Sequence, residues 1–174
     1  MKLAAKGGEP VRLNPFPQWP VWNDDEKDSL IRVLESGKWG SIHSDEVQKF
    51  EQEFAAFQQA KFGIATTSGT TALEATMRAI GLEAGDEVLL PAYTFVASAT
   101  ATLNNGALPV FVDIDPETYN IDPEKLEEQV NERTKAIMPV HFAGRPADMD
   151  RILAFAGKYG LFVIEDAAQG WGAT

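Results

Sequence analysis

The stretch "FGIATTSGTTAL", Phe62 to Leu73, decides the fold. Its first half is a short apolar run of the kind a buried strand needs. Its second half, Ser68-Gly69-Thr70-Thr71, is a polar turn that opens directly into a helix. The same alternation repeats downstream. Short runs follow at Glu87–Pro91 ("EVLLP"), Leu108–Ile114 ("LPVFVDI"), Lys135–Phe142 ("KAIMPVHF") and Leu161–Asp166 ("LFVIED"). Helical stretches are predicted between them, at roughly 70–80, 95–104, 123–131 and 147–159. Asp122 before Pro123 supplies a cap and a favoured first residue for the third of these. Strand and helix alternating in this way predict an α/β fold, a mostly parallel sheet with helices on both faces. Ligands of such sheets bind at the carboxyl ends of the strands, so chemistry is sought there.

Upstream the pattern differs. Residues 1–23 carry Pro10, Pro15, Pro17 and Pro20 with Phe16, Trp19 and Trp22 between them, which predicts an extended segment whose aromatics pack on the body or on a second subunit. From Asp24 the run "DDEKDSLIRVLESG" places Leu30, Ile31 and Leu34 on one face, acids in the first turn and Gly37 past the end, a helix. A second helix starts near Ser44, and its stripe of Val47, Phe50, Phe54 and Phe57 predicts a core-facing side. The predicted organisation is an N-terminal segment, 1–23, followed by one domain, 24–174.

Composition narrows the function. Fifteen basic residues stand against 26 acidic ones, a formal charge of −11, which argues against nucleic acid or an anionic membrane as partner. There is no cysteine, so disulfides, thiolate metal sites and cysteine nucleophiles are excluded and a reducing cytoplasm is the natural setting. The opening residues break at Gly7, Gly8 and Pro10 before a signal-peptide core forms, and no apolar run approaches the roughly 20 residues of a membrane span.

At the strand ends, Ser68, Gly69, Thr70 and Thr71 put hydroxyls and free backbone N–H groups at a helix N-terminus, where a phosphate can sit. An ordinary Ser/Thr helix cap accounts for the same residues. Neither the dinucleotide fingerprint nor the Walker A pattern is present. Tyr93 or Phe95 can lie against a planar ring, at about 0.5–1.5 kcal/mol beyond area burial, or simply pack in the core. Asp113, Asp115, Glu117 and Asp122 invite a calcium reading, but Thr118 stands where the loop needs glycine, and turn and cap roles suit them better. No metal site is predicted. His141 is either a general acid or base or a structural hydrogen-bonding residue. Glu165 and Asp166 ride an apolar strand to the edge of the core, where a buried carboxylate needs a cation, and a protonated heterocyclic nitrogen is one. An anion site, a flat aromatic and a carboxylate on successive strand ends describe a pocket for pyridoxal phosphate.

"SGTTAL", "LPAYTFVASATA", "PVFVDIDPETYNIDPEKLE", "RTKAIMPVHFAGRPADMD" and "LFVIEDAAQGWGA", in that order, resemble the DegT/DnrJ/EryC1/StrS aminotransferases, from about Pro10 to the end of the sequence. The resemblance implies a fold type I large domain and a pyridoxal-phosphate enzyme moving an amino group from glutamate or glutamine to a keto sugar or cyclitol ketone. It implies that Gly69 and Thr70 hold the cofactor phosphate, that Phe95 stacks on the pyridine ring, that Asp166 pairs with the ring nitrogen and that Gln169 lies near the phenolic oxygen. It implies a homodimer when complete. The family's Schiff-base lysine lies downstream of the aspartate motif, and none of the nine lysines here occupies its place, so the expectation is an inactive fragment truncated before the small C-terminal domain. A fragment of this kind is expected to expose apolar surface. Two other readings stay open: a non-catalytic cofactor- or ligand-binding domain, and a sugar dehydratase of the same family with histidine for lysine. The openings "GGEPVRLNPFPQWP" and "GKWGSIHSDEVQKFEQEF" look like the branch acting on aminocyclitol, aminoshikimate or nucleotide-sugar ketones.

Overall fold

Four parallel strands, β1 (Glu87–Pro91), β2 (Leu108–Val112), β3 (Thr134–Ile137) and β4 (Phe162–Val163), form one sheet in the order β2-β1-β3-β4. They belong to a computed structural model that describes residues 2–173. The helices are α1 (Asp24–Ser36), α2 (Glu46–Phe57), α3 (Gly69–Ala79), α4 (Val96–Asn104), α5 (Leu126–Gln129) and α6 (Met149–Tyr159). Parallel neighbours require crossovers, which α4 supplies between β1 and β2 and α6 between β3 and β4.

The sheet is covered on both faces because its strands alternate apolar residues both ways. Val88, Leu90, Ala136 and Met138 pack with Leu73 and Met77 of α3 and Ala101 of α4. Leu89, Ile137 and Val112 face the other way, onto Leu126 of α5 and Ile152 and Ala156 of α6. All five residues of β1 are buried, as a central parallel strand requires. At about 1.5–3 kcal/mol per fully buried large aliphatic side chain, these two clusters supply most of what holds the sheet. At the amino end of β1, Glu87 is buried and accepts hydrogen bonds from Asn131 (2.6 Å) and from Arg133 Nε (2.8 Å).

The chain divides into two compact units, 1–49 and 50–174, with the break inside α2. The expected 23/24 boundary coincides with the start of α1. In the first unit α1 carries a capping box, in which Asn23 accepts from the helix while its own N–H donates to Glu26 (2.8 Å), and Gly37 closes it in the left-handed region. Its predicted apolar face is not buried: Leu30 and Leu34 are exposed. A 3₁₀ turn at Ala4–Lys6 precedes the proline-rich stretch, and Phe16, Trp19 and Trp22 are exposed.

Three expectations need correction. "FGIATT" belongs to no strand, since a strand exists only by pairing and the four-strand sheet places no partner beside it; instead Ala65 N–H donates to the Glu51 carboxylate (2.8 Å). The stripe on α2 is not core, with Phe50 and Phe57 exposed. Phe50 stacks on Phe54, and Trp171 meets Phe54 edge-on, each with ring centroids 5.6 Å apart. Finally, 123–131 is not one helix but a 3₁₀ turn, Pro123–Lys125, running into α5, after which Val130 is already extended.

Candidate functional site

From β1 the chain moves to β2 on one side, while β3 lies on the other, so strand order reverses at β1/β3. A crevice forms at such a switch point, outside the carboxyl ends of the strands. A cavity of about 430 Å³ opens there. It is walled by Tyr93, Thr94 and Phe95 after β1, by Val140 and Phe142 after β3, by Asp166 and Gln169 after β4, and by Gly69 and Thr70 at the start of α3.

At the α3 end, Ser68 is the N-cap, its Oγ accepting the Thr71 N–H at 3.2 Å. That leaves the N–H groups of Gly69 and Thr70 without a protein acceptor among the described residues. The helix carries no acid in its first turn, and nothing lies within 4 Å of where a Cβ on Gly69 would be. The cap is thus present at Ser68, and among the described residues it leaves the next two N–H groups without an acceptor. This end of the cavity suits a phosphate.

Asp166 is 8% exposed and faces the cavity. Its backbone is fixed to the extension of β3, Asp166 N–H donating to Pro139 O (2.9 Å) and His141 N–H to Asp166 O (3.2 Å). Oδ2 accepts from the buried Ser98 hydroxyl at 2.8 Å and Oδ1 from Ala168 N–H at 3.3 Å. Among the described residues no lysine or arginine forms an ion pair with it. A buried carboxylate on a cavity wall without a cation is a site for a cationic ligand group.

Between these ends stand the aromatic wall and Gln169. Tyr93 packs on Phe142 (4.8 Å between centroids) and Tyr119 (6.0 Å), whereas Phe95, 70% exposed, has no aromatic partner among the described residues. Phe95 therefore keeps a free face for a planar ring. Gln169 Oε1 accepts from Ala143 N–H at 2.7 Å, which fixes the amide orientation and leaves its NH₂ to donate to a ligand oxygen. Ala143 holds that N–H in place from a left-handed backbone, φ 52°.

Residues 20–174 match the DegT/DnrJ/EryC1/StrS aminotransferase family. The chain belongs to this family. It is similar to the 3-amino-5-hydroxybenzoate synthase of Amycolatopsis mediterranei, 46% identical over 91% of this chain and 41% of that protein. It is also similar to the L-glutamine:2-deoxy-scyllo-inosose aminotransferase of Streptomyces kanamyceticus, 40% identical over 99% of this chain and 42% of that one. The solved structure of NtdA from Bacillus subtilis, with the cofactor PMP bound, superposes with a TM-score of 0.84 at 41% identity, covering 88% of this chain and 36% of NtdA. The chain spans about two fifths of the length of the curated relatives it matches.

For a DegT/DnrJ/EryC1/StrS domain the five sequence-predicted positions, Gly69, Thr70, Phe95, Asp166 and Gln169, all reach the same cavity. The sequence reading missed Thr94 and Ser98, which join Asp166 through hydrogen bonds of 2.7 and 2.8 Å. Their only signal was two hydroxyls one helical turn apart beside Phe95. His141 lies outside the cavity lining. It is buried, its Nδ1 accepting from Ala147 N–H (3.2 Å), so Nε2 carries the proton and donates to Glu165 (2.9 Å), a structural role. The acids of the 113–124 loop hold turns. The N–H groups of Thr118 and Glu117 bond Asp115 and keep its carboxyl below the usual range, and Asp122 accepts from Glu124 N–H. Among the described residues no group of three His, Asp or Glu is placed to hold a metal. No helix among them is long and apolar enough to cross a membrane.

Proposed function

We propose that this chain is the cofactor-binding part of a pyridoxal-phosphate-dependent aminotransferase that moves an amino group from glutamate or glutamine to a ketone on a nucleotide-linked sugar or a cyclitol. The observation that carries the reading is Asp166, a buried carboxylate facing the cavity with no lysine or arginine paired to it among the described residues. The residues present fit such a cofactor. Unbonded N–H groups at α3 suit its phosphate, the free face of Phe95 suits its ring, and the oriented amide of Gln169 suits its phenolic oxygen.

When bound, pyridoxal phosphate supplies an electron sink for the carbanion formed at the amino-bearing carbon. The chain's own contribution is electrostatic and positional. Asp166 would keep a proton on the ring nitrogen, Gly69 and Thr70 would anchor the phosphate, and Phe95 would exclude water from one ring face. The relatives' names support the substrate class, since they include a glutamine-dependent cyclitol aminotransferase. We place the complete enzyme in the cytoplasm as a homodimer. The absence of cysteine suits a reducing compartment, and the exposed aromatics Phe16, Trp19 and Trp22 are of the kind that subunit interfaces bury.

The test is Asp166→Asn in the complete enzyme, assayed with glutamine and a keto-cyclitol or keto-sugar acceptor. Turnover should fall by about 100-fold or more while the cofactor stays bound. Near-normal turnover refutes the assignment. Sedimentation of the complete protein checks the dimer.

A further inference from the structure

We propose that Ser98, with Thr94 behind it, is the positioning residue for Asp166. The inference rests on the reading that Asp166 carries the ring-nitrogen role. Ser98 is fully buried in the first turn of α4, and its hydroxyl has a single proton. That proton goes to Asp166 Oδ2 at 2.8 Å, where the carboxylate oxygen accepts. The Ser98 oxygen then accepts from Thr94 Oγ1 at 2.7 Å, so the direction of the whole relay is fixed: Thr94 to Ser98 to Asp166.

Two consequences follow from that direction. First, Asp166 is held in a nearly dry setting by the Ser98 hydroxyl in place of a protein cation among the described residues. A lysine or arginine there would compete with the ligand for the carboxylate, whereas a neutral hydroxyl aims it and leaves it free to bind a cationic nitrogen. Second, Thr94 lines the cavity with its proton turned inward, so it can only accept from a ligand. Thr94, Phe95 and Ser98 lie in one turn, so the segment that presents the aromatic wall also sets the carboxylate opposite it.

The experiment uses Ser98→Ala, Ser98→Thr and Thr94→Val in the complete chain. In Ser98→Ala, kcat should fall about 10- to 100-fold, as when a supporting residue behind a site ligand is lost. The dissociation constant for pyridoxal phosphate should stay within about threefold, and Ser98→Thr should recover most of the rate. In the cofactor-free chain, Ser98→Ala should lower the thermal midpoint by about 2–4 °C. The same substitution should have much less effect in an Asp166→Ala background. Wild-type turnover in Ser98→Ala, or an equal thermal loss with and without Asp166, overturns the inference. If Ser98→Ala fails to fold, Thr94→Val decides. A fall in kcat of at least about threefold with cofactor retained supports the relay, and unchanged kcat overturns it. Asp166→Asn separates the two levels. Full activity in that variant removes the functional reading itself, whereas loss there with no effect at Ser98 removes only the relay.

Discussion

Glu87 shows how one buried carboxylate ties stability to pH. Burial pushes its carboxyl up, but the Asn131 amide and the Arg133 guanidinium together outweigh burial and hold it below the ordinary value. A depressed folded pKa means the unfolded chain binds the proton more readily. The contribution is therefore complete above the unfolded value of about 4.3 and is lost as pH falls through the folded one. Thermal midpoints of wild type and Glu87→Gln should differ at pH 7 and converge as pH drops below about 4. At the same scale the position of Asp166 at the cavity was legible in the sequence, because an apolar strand running into acids announces a strand end, whereas Gln169 was reached only through the family resemblance. Ser98 was not. Its partner lies 68 residues away, and nothing local distinguishes it from an ordinary helical serine. His141 could be read either way until its ring nitrogens were seen to be used on Ala147 N–H and Glu165. Ala143 carries a strained backbone whose N–H orients Gln169. Glycine there should stabilise the chain by up to about 1 kcal/mol, measured by denaturant unfolding, and should loosen Gln169.

Elements follow their apolar pattern wherever partners exist to complete them. The runs at 87–91 and 108–114 became β1 and β2, because alternating aliphatics met helices on both faces. Leu90→Ala should cost about 2–5 kcal/mol in chemical denaturation, since Leu90 is wholly buried and the cavity left behind cannot collapse fully. "FGIATT" has equal apolar character but no neighbouring strand, and pairing is information that periodicity does not carry. Ser68 was readable as a cap from its type and position. Replacing it by alanine should weaken α3 by about 1 kcal/mol and leave the Thr71 N–H unpaired.

At the scale of the whole chain, the second unit leaves the large apolar side chains of Phe50, Phe57, Phe62, Ile64 and Trp171 exposed. This surface should bind an apolar dye such as ANS strongly in the 174-residue chain and weakly in the complete protein. The cavity has a consequence of another kind. Its walls come from four stretches, near residues 69, 94, 141 and 167, that are distant in sequence and meet only once every strand of the parallel sheet is in register. Non-local pairing of this sort assembles slowly. A molecule that bridges the α3 terminus to Asp166 therefore acts as a clasp across the unit, adding about 2.7 kcal/mol when supplied at a hundredfold excess over its dissociation constant. How long the folded protein survives in a cell would then track the supply of that molecule.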